Sequence, residues 1–362
     1  MLALWCLLMS AIAGTVTIDV LDVGQGDSIL IRSPEGKSVL IDGGTGQVDV
    51  VPLLRERGID ELNMVVGTHA HADHIGGLDE VFEAIPVKVY LDNGMPHTTK
   101  TYSKVMDLIE QKNIRYIEGK RDQEFNLGKE VQLQIIHPHN VLLRNTRSDL
   151  NSNSVVIRMI HGDNCFLFTG DAEEPTEDQL VRQDVGTCEV LKVAHHGSNH
   201  SSTNHFLQEV QPKIAVISLG ENNRYGHPGE EAMARLERTG AEIYRTDTMG
   251  TVTITSDGKN LQVETKKEAV VHKVDAGKVK EIAHITTDTT VITDATGKFD
   301  INTASQAQLE SISGIGPSKA TAIIAYRTEN GPFTNINDLV KVSGVGPKTV
   351  EKIAASAYVI SQ

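Results

Sequence analysis

Cysteine, net positive charge and long apolar runs are all scarce in this chain. Its 362 residues include three cysteines, Cys6, Cys165 and Cys188. None has the spacing of a thiolate metal site, which argues against a zinc-finger type of scaffold. Cys165 falls in an apolar strand pattern and Cys188 just ahead of another. They could pair in an oxidising compartment, but two buried free thiols are the reading adopted from sequence. Positive charge is outnumbered, with 34 Lys and Arg against 48 Asp and Glu, a net charge of −14. That balance argues against nucleic-acid binding by the whole surface, because phosphate contacts need local positive charge. Phosphate binding by a metal site or by backbone amides is not excluded.

One apolar run stands at the N-terminus, residues 1–13, MLALWCLLMSAIA. It is shorter than the roughly 20 residues a membrane-spanning helix needs. It ends in Ala11-Ile12-Ala13, a small-x-small cleavage pattern, and lacks the usual Lys or Arg ahead of it. We read it as a signal peptide that would carry Cys6 away, the alternatives being an uncleaved anchor or a chain that begins further upstream. No other stretch could cross a bilayer, so no integral membrane channel is expected, and the expected location is secreted or cell-envelope-associated. At 39% hydrophobic and 23% charged residues the chain can build a sizeable core, and its length fits two domains.

The densest chemistry lies in Thr68-His69-Ala70-His71-Ala72-Asp73-His74-Ile75-Gly76-Gly77, after the apolar strand pattern Leu62–Val66. Imidazole and carboxylate together suit zinc, manganese or iron. In an extended chain His69 and His71 point to one side and can share one ion, while Asp73 and His74, opening a helix, reach a second. A solvated His-rich loop is the alternative; the strand ahead and the glycines behind argue against it.

Other features follow in order. Asp22-Val23-Gly24-Gln25-Gly26-Asp27-Ser28 and Asp42-Gly43-Gly44 punctuate two strand patterns, and Asp22, Gln25 and Asp27 read as turn-formers that could also line a site. The pattern Val131–Ile136 ends in His137-Pro138-His139, loop histidines by the simpler reading and an extra ligand by the other. A hairpin, Val155–Ile160 and Cys165–Phe168, ends in Thr169-Gly170-Asp171, a metal-binding or helix-capping aspartate. The strand pattern Leu191–Ala194 ends in His195-His196-Gly197-Ser198. Asn222-Asn223-Arg224-Tyr225-Gly226-His227-Pro228 follows Ile214–Leu219. Residues 265–298 lack a sustained period and read as a linker. Residues 299–362 hold a repeat: Ile312-Ser313-Gly314-Ile315-Gly316-Pro317-Ser318-Lys319 echoes Val342-Ser343-Gly344-Val345-Gly346-Pro347-Lys348-Thr349. Each copy places exposed amides at a helix N-terminus, where the helix dipole attracts phosphate.

His-x-His-x-Asp-His, with TGD and the later histidines, resembles the metallo-β-lactamase fold over residues 15–264, and DVGQGDS, LIDGG and NxYGHP resemble its ComEC-like group. The C-terminal repeat resembles a ComEA-type helix-hairpin-helix module. The resemblance implies an α/β fold, a four-layer αββα sandwich, followed by a small all-α domain. It implies two divalent ions, zinc first and manganese next, held by His69, His71, Asp73, His74 and His196, with Asp171 bridging. His196 is the preferred member of its pair by likeness to the phosphorylcholine esterase branch. His195 would then face the substrate phosphoryl group, though the order could be reversed. Asp73 would also orient the attacking water, and His227 would serve as a general acid or phosphate donor. Gly314, Gly316, Lys319, Gly344, Gly346 and Lys348 would meet DNA, although acidic neighbours leave the module without a basic excess. The expectation is a secreted nuclease or phosphodiesterase acting on DNA. A hydrolase of a small or cell-surface phosphoester, with the hairpin domain only tethering it, and a DNA-binding uptake component with little catalysis are the alternatives; for the hairpins themselves the alternative to DNA is a structural use or docking to a protein partner.

Overall fold

The computed structural model describes residues 14–267 and, beyond them, 298–302, 304, 309, 312, 315–330, 333–342 and 344–359. The expected signal peptide, most of the expected linker and Gly314 lie outside the described residues. The chain divides into two compact units, residues 1–282 and 283–362.

The first unit is built from two similar halves. β1 (Val16–Val20), β2 (Ile29–Arg32) and β3 (Ser38–Ile41) form an antiparallel meander. α1 (Val50–Glu56) then crosses to the parallel strand β4 (Met64–Val66). α2 (Ala72–Ile75) and α3 (Leu78–Ala84) lead to β5 (Val89–Asp92), and α4 (Lys100–Gln111) to the edge strand β6 (Arg115–Glu118), both parallel additions. The second half repeats the plan. β7 (Glu124–Asn126), β8 (Val131–His137), β9 (Val156–His161) and β10 (Asn164–Phe168) are antiparallel. α5 (Glu174–Arg182), α6 (Asn204–Val210) and α7 (Glu230–Arg238) then connect the parallel strands β11 (Val190–Lys192), β12 (Ile214–Ile217) and β13 (Glu242–Arg245). After α8 (Thr246–Met249), β14 (Val252–Ser256) and β15 (Leu261–Thr265) return to the first sheet beside β1.

Burial on both faces explains why the central strands read as unbroken apolar runs rather than alternations. Ile18, Ile31 and Val66 pack with Leu133, Ile157 and Phe166 between the sheets. Leu30, Leu40 and Val65 face Leu54, Phe82 and Leu108 on one outer side. Leu167, Leu191 and Ala215 face Leu180, Phe206 and Leu236 on the other. The result is the expected αββα sandwich. Local signals set the helix ends: Thr99 and Thr203 cap α4 and α6 through their hydroxyls. Glu230 and Glu231 open α7 while Arg235 and Arg238 close it, complementing the helix dipole.

Several expectations are corrected. Cys165 and Cys188 are not free thiols but form a disulfide, with Cα atoms 4.5 Å apart. Cys188 lies just before β11, the parallel neighbour of β10, so the sheet itself brings the two together. The helix that Asp73 and His74 open stops at Gly76-Gly77, and a second helix, α3, starts directly after it. A Cβ at either glycine would meet the carbonyl oxygens of Thr45 or Gly43, so two loops pack here backbone to backbone. β6 and β7, both polar edges, escaped the pattern reading because exposed edge strands carry charge instead of alternation.

In the second unit, β16 (Phe299–Asp300) pairs parallel with β17 (Ala357–Tyr358), a small addition to the expected all-α plan. α9 (Pro317–Asn330) and α10 (Pro347–Ser356) flank a short 3₁₀ turn, Ile336–Lys341, which Asn335 and Asp338 cap reciprocally. Ile301, Leu309, Ile312 and Ile315 pack against Leu339, Val342, Val345 and Ile353. Among the described residues, no helix is long and apolar enough to cross a membrane.

Candidate metal centre

The site gathers at the carboxyl ends of β3, β4, β10, β11 and β12, where crossover loops of both halves meet. Asp42, at the end of β3, takes φ 60° and is fully buried. It accepts hydrogen bonds from Thr68 N and Thr68 Oγ1, each at 2.7 Å, and lies 2.7 Å from His74 Nδ1. One carboxylate thereby fixes the loop and turns the His74 Nε2 edge inward. Ser154 Oγ accepts from Asp171 N at 3.2 Å and lies 3.4 Å from His69 Nδ1. His196 Nδ1 faces Ser218 O at 2.8 Å and Asp27 Oδ1 at 3.3 Å, which frees its Nε2 for the centre. Behind Asp27 stands Lys192, 1% exposed, its Nζ 2.8 Å from Asp27 Oδ2 and donating to Val193 O at 3.0 Å. His195 and His196 follow each other with φ of 49° and 53°, a left-handed turn that sends the two rings in different directions.

Six expected residues converge. Asp73, His74, Asp171 and His196 offer donor atoms within 4.8 Å of one another, and so do His69, His71 and Asp171. Asp171 serves both groups with different oxygens. Its Oδ1 lies 3.2 Å from His74 Nε2 and 3.6 Å from His196 Nε2, and its Oδ2 lies 3.8 Å from His69 Nε2. His196 Nε2 is 3.4 Å from Asp73 Oδ2, and His69 Nε2 is 2.9 Å from His71 Nδ1. His74 Nε2, His196 Nε2 and Asp171 Oδ1 are buried without a hydrogen-bond partner. Buried polar atoms are ordinarily paired, so this converging set fits ligands of a cation.

Electrostatics points the same way. Burial favours the neutral carboxyl at Asp171, yet His74, His195 and His196 outweigh it and hold the group well below the carboxylate range. Burial likewise opposes ionisation of Asp27, but Lys192 and His196 bring it to about 2. Asp73 also stays ionised, burial being overcome by His196 and His74. In response His74 is raised, burial being outweighed by Asp171 and Asp42. Against the same burial, Asp171 and Asp27 raise His196 to about 10. The pocket stabilises positive charge at its centre.

The other expected residues fall as follows. His195 joins neither donor group. Its Nδ1 lies 3.3 Å from Glu173 Oε1 and its Nε2 3.7 Å from Asp171 Oδ2. His227 lines the same cavity, its ring 5.6 Å from that of His195. Burial, with His195 and His196 adding to it, pulls His227 down to about 4. His137 faces Ser154 O at 3.0 Å and His139 meets Gln183, so neither joins the cluster. Asn151 does line the cavity, donating to Glu173 Oε1 at 3.1 Å, with its Oδ1 buried and unpaired. Asp27 is no turn-former but part of the frame behind His196. Asp42, Lys192 and Glu173 were missed; a lysine inside an apolar strand pattern was the available signal for Lys192.

In the second unit, Ile315 and Val345 are buried while Gly316 and Gly346 are exposed at the starts of α9 and α10. A Cβ on Gly316 or Gly346 would meet nothing within 4 Å among the described residues, whereas Gly344 takes φ 81° and needs glycine. Lys348 is exposed in the first turn of α10, and Lys319 is partly buried in that of α9. Arg327 is committed inward, donating to Ile301 O at 2.6 Å and Ala304 O at 2.8 Å.

An αββα sandwich with this donor set is the setting of a divalent-metal centre. Residues 21–221 match the metallo-beta-lactamase superfamily and residues 294–357 the helix-hairpin-helix motif. The chain belongs to the metallo-beta-lactamase superfamily. It is 32% identical over 256 residues to ComE operon protein 3 of Bacillus subtilis, covering 65% of this chain and 32% of that protein. To competence protein ComA of Neisseria gonorrhoeae it is 33% identical over 241 residues, 64% of this chain and 31% of that protein. To ComE operon protein 1 of Bacillus subtilis it is 34% identical over 200 residues, 54% of this chain and 87% of that protein. The chain thus spans about a third of the length of the first two relatives.

Proposed function

We propose that this protein is a metal-dependent phosphodiesterase acting on DNA, exported to the cell envelope or beyond it and working with DNA uptake. The observation that carries the reading is the presence in one chain of two donor groups sharing Asp171 and of two phosphate-suited helix N-termini. His69, His71 and Asp171 would hold one ion, and Asp73, His74, Asp171 and His196 the other, zinc first and manganese as the alternative. Such ions polarise a phosphoryl oxygen and lower the pKa of water. Asp73, partly open to the cavity, orients that water. Glu173, with Oε1 3.3 Å from His195 Nδ1, would orient the ring so that its Nε2 faces the phosphoryl group. His227 is held neutral and would donate its N–H to a phosphoryl oxygen; a phosphodiester anion beside it would raise its pKa, so that it would take a proton from solvent and pass that proton to the leaving oxygen.

Gly316, Gly344 and Gly346, with Gly314, let a phosphate backbone approach the amides, and Lys319 and Lys348 add charge. The open space around Gly316 and Gly346 supports this, since packing among the described residues does not demand glycine there. We place the hydrolase domain at 15–264, the linker at 265–298 and the hairpin domain at 299–362, after a signal peptide at 1–13. The relatives' names support the uptake setting, and the disulfide supports an oxidising compartment. The inward commitment of Arg327 favours a second reading, in which the hairpins dock to a protein partner and the substrate is a smaller phosphoester.

The test is metal-loaded full-length protein on single-stranded DNA, duplex DNA and bis(p-nitrophenyl) phosphate. Cleavage of DNA and diester, abolished by chelation, is expected. Turnover of the small diester with DNA left intact would favour the second reading.

A further inference from the structure

Tyr225 is a large aromatic left 51% exposed at the mouth of the metal cavity, a space of about 330 Å³ that also reaches Gln25, Asp73, Asp171 and His195. Its loop is not slack. The Asn223 side chain accepts from Tyr225 N at 3.2 Å and His227 N at 3.0 Å, and donates to Gly220 O at 3.1 Å and His227 O at 2.6 Å. The Tyr225 ring stacks on that of His227, with centroids 5.9 Å apart and planes 19° from parallel. His227 in turn meets His195 edge-on. The Arg224 guanidinium lies 5.1 Å from the Tyr225 ring centre and donates to its hydroxyl at 3.0 Å. A braced loop thus presents a half-exposed ring, with an exposed cation upon it, one imidazole away from the residues facing the donor groups.

A braced aromatic face beside an exposed guanidinium suits nucleobases, since every base has a π-face and each base is followed by a phosphate. We propose that Tyr225 is a stacking platform for the base next to the scissile phosphate, with Arg224 turning from the ring to the adjoining phosphate. Gln25 Nε2, buried and without a hydrogen-bond partner at the same mouth, supplies a further donor. Bases inside a duplex are already stacked on both faces, so the platform selects unpaired bases: single strands and frayed ends. This inference rests on the phosphodiesterase reading and names its substrate class.

The experiment uses full-length, manganese-loaded protein with Tyr225→Phe and Tyr225→Leu. On a single-stranded oligonucleotide, Tyr225→Leu should raise KM about tenfold, the scale of one base–aromatic stack, with kcat little changed, while Tyr225→Phe should match the parent. On an oligonucleotide carrying a run of abasic residues, parent and Tyr225→Leu should be equal. Independently of turnover, a trinucleotide containing 2-aminopurine should lose fluorescence on binding the parent and Tyr225→Phe but not Tyr225→Leu. Quenching without hydrolysis would keep the platform and overturn the nuclease reading. Equal losses on normal and abasic strands, or equal quenching by all three proteins, would overturn the platform.

Discussion

The two units handle negative charge by opposite means. The hydrolase unit concentrates side chains from remote positions into a buried cluster, where carboxylates stay ionised because imidazoles and Lys192 surround them. The hairpin unit works through backbone. Its repeat places glycine ahead of each helix, and much of its side-chain charge is spent internally, Arg327 on carbonyls and Lys341 on Asp338 at 2.9 Å. A buried cluster is intolerant of single changes because each partner it loses leaves an uncompensated charge. A backbone site spreads its binding over many weak donors and should degrade gradually.

That contrast can be broken or sharpened by substitution. The largest effect should come from Asp171→Ala, which removes oxygens from both donor groups. Hydrolysis should fall on the order of 10³-fold, as for loss of a major charge-stabilising group, and bound metal measured by elemental analysis should fall with it. Asp73→Ala should follow the same course, and full metal with full activity in either would sink the two-ion assignment. Next comes Lys192→Met, which strands Asp27 behind His196. Metal affinity should drop about 10–100-fold in a chelator competition, as when a ligand's supporting partner is lost. The melting temperature should fall too, and adding Asp27→Asn should recover part of both. If Lys192→Met alone is silent, the buried pair does not position His196.

The reach of sequence follows the same divide. His69, His71, Asp73 and His74 were legible because one turn carries them all, and Asp171 and the His195-His196 pair because they end strand patterns. The frame behind them was not. Asp27 contacts Lys192 only after two sheets have closed, and among glycines it reads as a turn residue. The pairing of Cys165 and Cys188 was open in sequence but not the reading adopted, since what joins them is the adjacency of β10 and β11. Asn151 belongs to no strand or ligand pattern, and its place in the cavity depends on Glu173 and His195 arriving from elsewhere.

A smaller effect should follow deletion of residues 299–362. KM for long DNA should rise roughly tenfold while hydrolysis of a small diester stays level, because only uniform binding is lost. Equal DNA affinity of the truncated and full-length proteins, read by fluorescence anisotropy at two salt concentrations, would assign the hairpins to a protein partner. The smallest effect concerns His195→Gly. It relieves one left-handed residue, but glycine also loosens the unfolded chain, so the net gain in stability should stay below about 1 kcal/mol. A fall in melting temperature would show that the Glu173 contact outweighs the backbone.

The back-to-back left-handed pair, His195 and His196, has an evolutionary consequence. Each holds a conformation that side chains disfavour, because only that turn sends one ring to Asp171 and Asp73 and the other to Glu173. Selection for heat resistance alone would erode it toward glycine, and selection for turnover would restore it. The sturdiest descendant of this protein and its most active one would therefore differ at position 195.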